Sequence, residues 1–180
     1  MQDINIRGNL ENLKNAIKSG NAKIGFTGGS ITAAATRSNW STYVRGWLVN
    51  KFKDVRFSVM NSAIGATGSL TGLALSQKEF IDTKCNLVFV EYAVNDDAID
   101  SDERMRTREG LVRRLLAENI DVVIVYTFYQ NMFKQTNKGE IPDSIADFEK
   151  IAEKYNISLV DEVCLSIFAV PCACFGIFLP

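Results

Sequence analysis

The sequence contains no histidine. Imidazole is the commonest general base of hydrolases and a common metal ligand. No Ser-His-Asp triad, no Cys-His pair and no His-ligated metal site can therefore be assembled from these residues. Cysteine is sparse, with 4 in 180 residues. Cys85 stands alone while Cys164, Cys172 and Cys174 crowd the final segment, which is no disulfide framework. Neither sign of charge is in excess: 20 Lys plus Arg against 21 Asp plus Glu leave a net charge of −1. Composition thus points to neither nucleic acid nor anionic lipid as a partner. Met1 to Ala22 lacks the apolar stretch of a secretory signal, so a cytoplasmic setting with reduced thiols is expected.

What is present is an ordinary globular balance, 47% hydrophobic and 23% charged, over a length that suits one domain. Five short apolar runs read as strands: Lys23–Thr27, Arg56–Met60, Asn86–Tyr92, Asp121–Thr127 and Ile157–Val160. The third and fourth are near-continuous, as strands covered on both faces are. Helical spacing separates them. Leu10, Leu13 and Ile17 recur at three and four, as do Trp40, Tyr43, Val44, Trp47, Leu48 and Phe52. Leu111, Val112, Leu115 and Leu116 follow a charged start, and Pro142 opens the stretch holding Ile145, Phe148, Ile151, Ala152 and Tyr155. Strands alternating with helices imply right-handed crossovers, hence a three-layer α/β/α sandwich on a mostly parallel five-stranded sheet of flavodoxin-like order. There is no internal repeat and no linker.

Three segments at strand ends carry chemistry. Gly28-Gly-Ser-Ile-Thr32 follows the first strand, where the carboxyl edge of an open parallel sheet binds ligands. Ser30 there suits a nucleophile or an anion contact. The glycine spacing fits neither a dinucleotide fingerprint nor a phosphate-binding P-loop, and no G-x-S-x-G elbow is present. Asn61 to Ser69, after the second strand, places Gly65 where a free backbone N–H could face a ligand, or serves simply as a turn into a helix. Asn95, in Val90-Glu-Tyr-Ala-Val-Asn-Asp96 after the third strand, could offer its side-chain N–H to a developing oxyanion, or belong to an ordinary Asn-Asp turn.

Serine, glycine and asparagine on three successive strand ends, in that order, resemble the SGNH hydrolases, also called the GDSL esterase family. Lys23–Thr32, Gly65–Ser69, Phe89–Asp96, Glu109–Arg113 and Phe148–Tyr155 are similar to one bacterial subgroup with a carbohydrate-esterase-like character, and the likeness runs from Arg7 to Asp161. It implies Ser30 as nucleophile, with the N–H of Ser30, the N–H of Gly65 and the Asn95 carboxamide as oxyanion donors. The neighbouring Gly29, Thr32 and Asp96 are expected to contact substrate. Ala93 stands where the family usually has glycine. The implied reaction is hydrolysis of a small acyl ester, such as an acetyl group on a carbohydrate, with no cofactor and no metal.

The family's last block, Asp-x-x-His, is absent. Asp161 sits too near the fifth strand to be its acid, and the formal Asp161-x-x-Cys164 pair is no substitute. Lys78 and Lys84 precede the third strand and belong to the wrong end of the sheet to serve as base. Residues 1–162 are read as the domain. Residues 163–180 carry no charge and are read as a segment foreign to it, such as a shifted reading frame would produce; a membrane helix is disfavoured by Pro171, Gly176 and Pro180. A chain without the base is expected to keep its site and lose nearly all turnover.

Two rival functions fit the same residues: a non-catalytic module binding acylated glycans, and a flavodoxin-like nucleotide-binding domain with phosphate on the turn at Thr27 to Thr32. Two further sets have structural readings. Tyr43 and Trp47 are expected on the buried face of a helix rather than, with Trp40, lining a sugar cleft. Arg104, Arg106, Arg108, Arg113 and Arg114, mixed with Asp102, Glu103 and Glu109, are expected on a solvated face.

Overall fold

A computed structural model describes residues 4–33 and 39–161, and the backbone alone at Ile4, Asn5 and Asp161. The elements in chain order are β1 (Ile4–Asn5), α1 (Glu11–Lys18), β2 (Asn21–Gly28), α2 (Ser30–Ala33), α3 (Trp40–Lys51), β3 (Arg56–Asn61), α4 (Ser69–Ser76), a π-helical turn (Gln77–Ile81), β4 (Leu87–Glu91), α5 (Ser101–Ala117), β5 (Asp121–Tyr126), α6 (Gln130–Thr136), α7 (Asp143–Tyr155) and β6 (Ser158–Asp161). All five expected strands form, and all five are parallel. A sixth, β1, adds two residues antiparallel to β6 at one edge. A two-residue strand has no periodicity to read, which is why the sequence did not betray it.

The sheet order is β1-β6-β5-β4-β2-β3. Its parallel part is the flavodoxin-like order, and the chain reverses direction across the sheet between β2 and β4. That switch point puts the carboxyl ends of β2 and β4 side by side, with Gly28 in register with Glu91.

β4 illustrates why a central strand reads as a continuous apolar run. Leu87 and Phe89 point into one core, with Ile24, Phe26, Trp40, Val44 and Leu48; Val88 and Val90 point into the other, with Leu111, Leu115, Ile145 and Phe148. Side chains alternate across a sheet, so both faces must be apolar when helices cover both. In the first core the Phe26 and Phe89 rings stack at 5.0 Å, and Trp40 meets them edge-on at 5.3 and 5.9 Å.

Helix ends follow local chemistry. The Asn39 side chain accepts from the Thr42 N–H at the start of α3, and Asp100 accepts from the Asp102 and Glu103 N–H groups at the start of α5. Leu10 before α1 has no capping oxygen; Asp121, from the start of β5, takes the Leu13 N–H and the Asn12 amide instead.

Two expectations are corrected. In α3 Trp40 is the buried aromatic, Trp47 is half-buried and Tyr43 is exposed. The apolar stripe includes all three, but only Trp40 falls under the sheet's aromatic pair. Arg104 and Arg108 are buried, not solvated. Arg104 pairs with Asp147 at 2.7 Å and Arg108 with Asp96 at 2.8 Å. Composition of one helix cannot reveal that its partners come from α7 and from the turn after β4. The uncharged segment 163–180, with Cys164 of the Asp161-x-x-Cys164 pair, and the Asp161 side chain lie outside what is described. Among the described residues no helix is long and apolar enough to cross a membrane.

Candidate active site

The three strand-end segments meet at the switch point. Gly29 and Ser30 follow β2 directly, and Ser30 opens the short helix α2 with its side chain at the surface. The loop after β3 is fastened to the end of β2 by main-chain bonds: the Ser62 N–H donates to the Phe26 carbonyl and the Ile64 N–H to the Gly28 carbonyl. These bonds bring Gly65 beside the serine. A Cβ built on Gly65 would lie 3.7 Å from Ser30 Cβ, in ordinary contact. Ala66, the next residue, has a φ of 60°, a left-handed conformation uncommon for a residue with a side chain.

Asn95 approaches from the other side. Its carboxamide lies so close over Gly29 that a Cβ there would fall 1.8 Å from Oδ1 and 2.8 Å from Nδ2. Gly29 is thus required by space rather than by an unusual φ. Ser30, Gly65 and Asn95 are brought together at one exposed edge of the sheet, with Asn95 half-buried and Gly65 exposed.

The other expected substrate contacts are corrected. Thr32 is fully buried; its hydroxyl donates to Glu91 Oε2 at 2.8 Å, and its carbonyl accepts from the side chains of Asn39 and Asn61. Asp96 is fully buried too. Oδ2 accepts from Arg108 Nε at 2.8 Å and Oδ1 from the Ser69 N–H at 2.9 Å. Both flank motif residues in sequence, but Thr32 is the buried residue of α2 and Asp96 faces inward from the turn after β4. Gly29 is also buried, with its N–H turned toward Glu91 at 3.3 Å.

Asp96 has a consequence for the site. Gly68, before α4, has no side chain to cap the helix, and Asp96 supplies the missing oxygen to Ser69. A Cβ on Gly68 would lie 2.4 Å from that oxygen. One carboxylate therefore ties the loop that carries Gly65 to the turn that carries Asn95. Arg108 completes the lock: its guanidinium reaches the Tyr92 carbonyl, the Ser144 carbonyl and the Ser144 hydroxyl, and stacks on Phe148 at 3.9 Å. Ser144 in turn donates to the Ala93 carbonyl. The polar groups of the β4–α5 turn are satisfied from beneath, as buried groups must be.

Two residues escaped the sequence reading, Glu91 and Arg108. Glu91 ends an otherwise apolar strand, an anomaly that could have marked it; Arg108, at helical spacing from other charges, carried no such signal. Among the described residues no cluster of His, Cys, Asp or Glu has the makings of a metal site.

No family model and no curated protein matches the sequence. Solved structures do. A two-domain esterase, CEX, described as active on acetylated mannans and co-crystallised with mannopentaose, superposes with a TM-score of 0.74 at 28% identity, over 95% of this chain and 47% of that one. This chain thus spans about half the length of that esterase. Axe2, an acetylxylan esterase from Geobacillus stearothermophilus, shares the fold with a TM-score of 0.67 at 20% identity, over 82% of this chain and 79% of that one. TesA shares it with a TM-score of 0.65 at 18% identity, over 76% of each chain. With its strand-end motifs set in that order on this sheet, the chain has the SGNH-hydrolase fold.

Proposed function

We propose that this chain carries the nucleophile and oxyanion half of a serine esterase site that removes acetyl groups from a carbohydrate. The supporting observation is the meeting of Ser30, Gly65 and Asn95 at the sheet's switch point, with Ser30 exposed. Ser30 Oγ attacks the ester carbonyl carbon and gives its proton to a base. The Ser30 N–H, the Gly65 N–H and the Asn95 amide face the oxygen that gains charge. The tetrahedral species collapses, the bond to the sugar oxygen breaks, and that oxygen takes the proton. Water then releases acetate from Ser30. The acetylated-mannan and acetylxylan activities of the structural neighbours support the choice of substrate.

No residue of this sequence supplies an imidazole. A triad enzyme stripped of one member keeps only about 10³–10⁴ over the uncatalysed rate, from the oxyanion hole and binding. The sequence as it stands therefore forms acyl-enzyme slowly, and added imidazole speeds it. The phosphate-binding reading is disfavoured because the Gly29 N–H on that turn is spent on a buried carboxylate.

The test is covalent. A fluorophosphonate probe, in buffer with and without imidazole, is followed by peptide mass spectrometry. An adduct on Ser30 that imidazole accelerates supports the reading. An unmodified Ser30, with acetylated mannan or xylan oligosaccharides still bound in titration, turns it into the non-catalytic glycan-binding module.

A further inference from the structure

Glu91 is the last residue of β4 and is fully buried. A charged side chain at such a position is costly unless it is well supplied with donors. It is. Oε2 accepts from the Gly29 N–H at 3.3 Å and from the Thr32 hydroxyl at 2.8 Å, and Oε1 accepts from the Thr127 hydroxyl at 2.7 Å. The direction of the Thr32 bond is fixed by its neighbour. Trp40 Nε1 donates to Thr32 Oγ1 at 3.3 Å, and an indole N–H can only donate, so the hydroxyl proton is left for Glu91.

The carboxylate also explains Gly28. A Cβ at that position would sit 2.8 Å from Glu91 Oε2 and 2.6 Å from the Glu91 carbonyl. The paired glycines before Ser30 therefore have separate tasks: Gly28 leaves room for Glu91 beneath the turn, and Gly29 leaves room for Asn95 above it. The three donors come from the end of β2, from α2 and from the residue after β5, so one side chain joins the tips of three parallel strands.

We propose that Glu91 is a positioning residue for the serine: its carboxylate clamps the turn Gly28–Thr32 from beneath and so sets the place of Ser30 relative to Asn95. The proposal deepens the esterase reading and rests on it for the role of Ser30, but the clamp itself is measurable without catalysis. Charge-assisted bonds of this kind are short-ranged and directional, and a misplacement of about 1 Å at a reacting group costs about 10²-fold in rate.

The experiment compares Glu91→Gln with Glu91→Leu in the full chain. Three quantities are read: the thermal midpoint, the Gly29 amide proton shift in a 15N-resolved spectrum, and the rate of Ser30 modification by the fluorophosphonate probe in imidazole buffer. Glutamine keeps an oxygen for Gly29 and Thr32 and can donate its amide to Thr127. E91Q is therefore expected to hold the Gly29 resonance downfield and to label within about threefold of the parent. E91L removes the acceptor. It moves the Gly29 resonance upfield and slows labelling about tenfold or more in the folded protein. The clamp is overturned by folded E91L with an unchanged Gly29 shift and an unchanged labelling rate, or by E91Q behaving as E91L does. Should E91L not fold, Thr32→Val takes its place. It removes one donor and leaves the acceptor of the Gly29 N–H in place, so slower labelling of Ser30 is expected with the Gly29 resonance still downfield; a parental labelling rate overturns the clamp. An upfield Gly29 shift in E91L with Ser30 unlabelled in every protein, the parent included, retains the clamp and removes the esterase reading alone.

Discussion

The Asn95 carboxamide rests directly on Gly29, leaving no space for a methyl group between them. The residue before the candidate nucleophile and the candidate oxyanion donor are thus one packing unit, and a change at the first must displace the second. Gly29→Ala is expected to fold, because Asn95 is half-buried and can swing outward. It should lose labelling of Ser30 by about 10²-fold, the cost of one oxyanion donor. Gly65→Ala, whose added carbon makes only an ordinary contact with Ser30, should lose far less. Probe labelling of the two variants side by side checks the contrast; equal losses would sink the packing argument.

Asn95→Ala tests the donor itself. The side chain makes the close contact over Gly29, and its removal should leave the thermal midpoint within a degree or two, while imidazole-assisted acylation of Ser30 falls about 10²–10³-fold. Calorimetry and the labelling assay together separate the two effects. A parallel collapse of both would assign Asn95 to structure.

The Asp96–Arg108 pair is buried on both sides and holds both loops that flank Ser30. Arg108→Met leaves the Asp96 carboxylate without its counter-charge. The expected loss is about 3–5 kcal/mol, read as a shift in urea midpoint. Asp96→Asn combined with Arg108→Met should recover part of this, since the uncompensated charge is gone. No recovery in the double variant would mean that the stacking of Arg108 on Phe148 and its bonds to Ser144 dominate.

Tyr92 gives an alkaline signature. Burial pushes its phenol up to about 12; the Thr27 hydroxyl, 2.7 Å away, pulls against this, and the Glu91 and Asp96 carboxylates add to the rise. The folded state therefore favours the protonated phenol. Its contribution is complete below the ordinary value of 10 and is lost as pH climbs through about 12. The amount is about 2–3 kcal/mol at most. Urea midpoints at pH 9 and pH 11.5 should fall further in the parent than in Tyr92→Phe, which has no proton to lose. Parallel declines would remove Tyr92 as the cause.

The strand-end motifs were legible because the chemistry at the carboxyl edge of a parallel sheet sits within a few residues of a readable apolar run. Ser30, Gly65 and Asn95 each follow such a run. The helix starting at Ser101 was readable too, from its acidic first turn and its Leu111–Leu116 stripe. Other features were not. Trp40 and Tyr43 sit on the same stripe of α3, and only the position of Phe26 and Phe89 decides which is buried. Thr32 and Asp96 look like site residues because they border the motifs; the buried partners Glu91 and Arg108 hold them inward instead. α6 is short and carries no apolar period beyond Met132 and Phe133, so nothing in its sequence marked it.

By itself, then, the order of residues settled the alternation of strands and helices and the parallel sheet, and it set a serine, a glycine and an asparagine after three successive strands, because these depend on periodicity and on spacing along one chain. It also excluded an internal imidazole, because composition does not depend on folding. Tertiary structure alone decided what holds those groups in place. Glu91 beneath the serine turn, and the Asp96–Arg108 pair beneath the asparagine turn, are bonds between segments far apart in sequence. No local pattern encodes which buried charge will meet which donor.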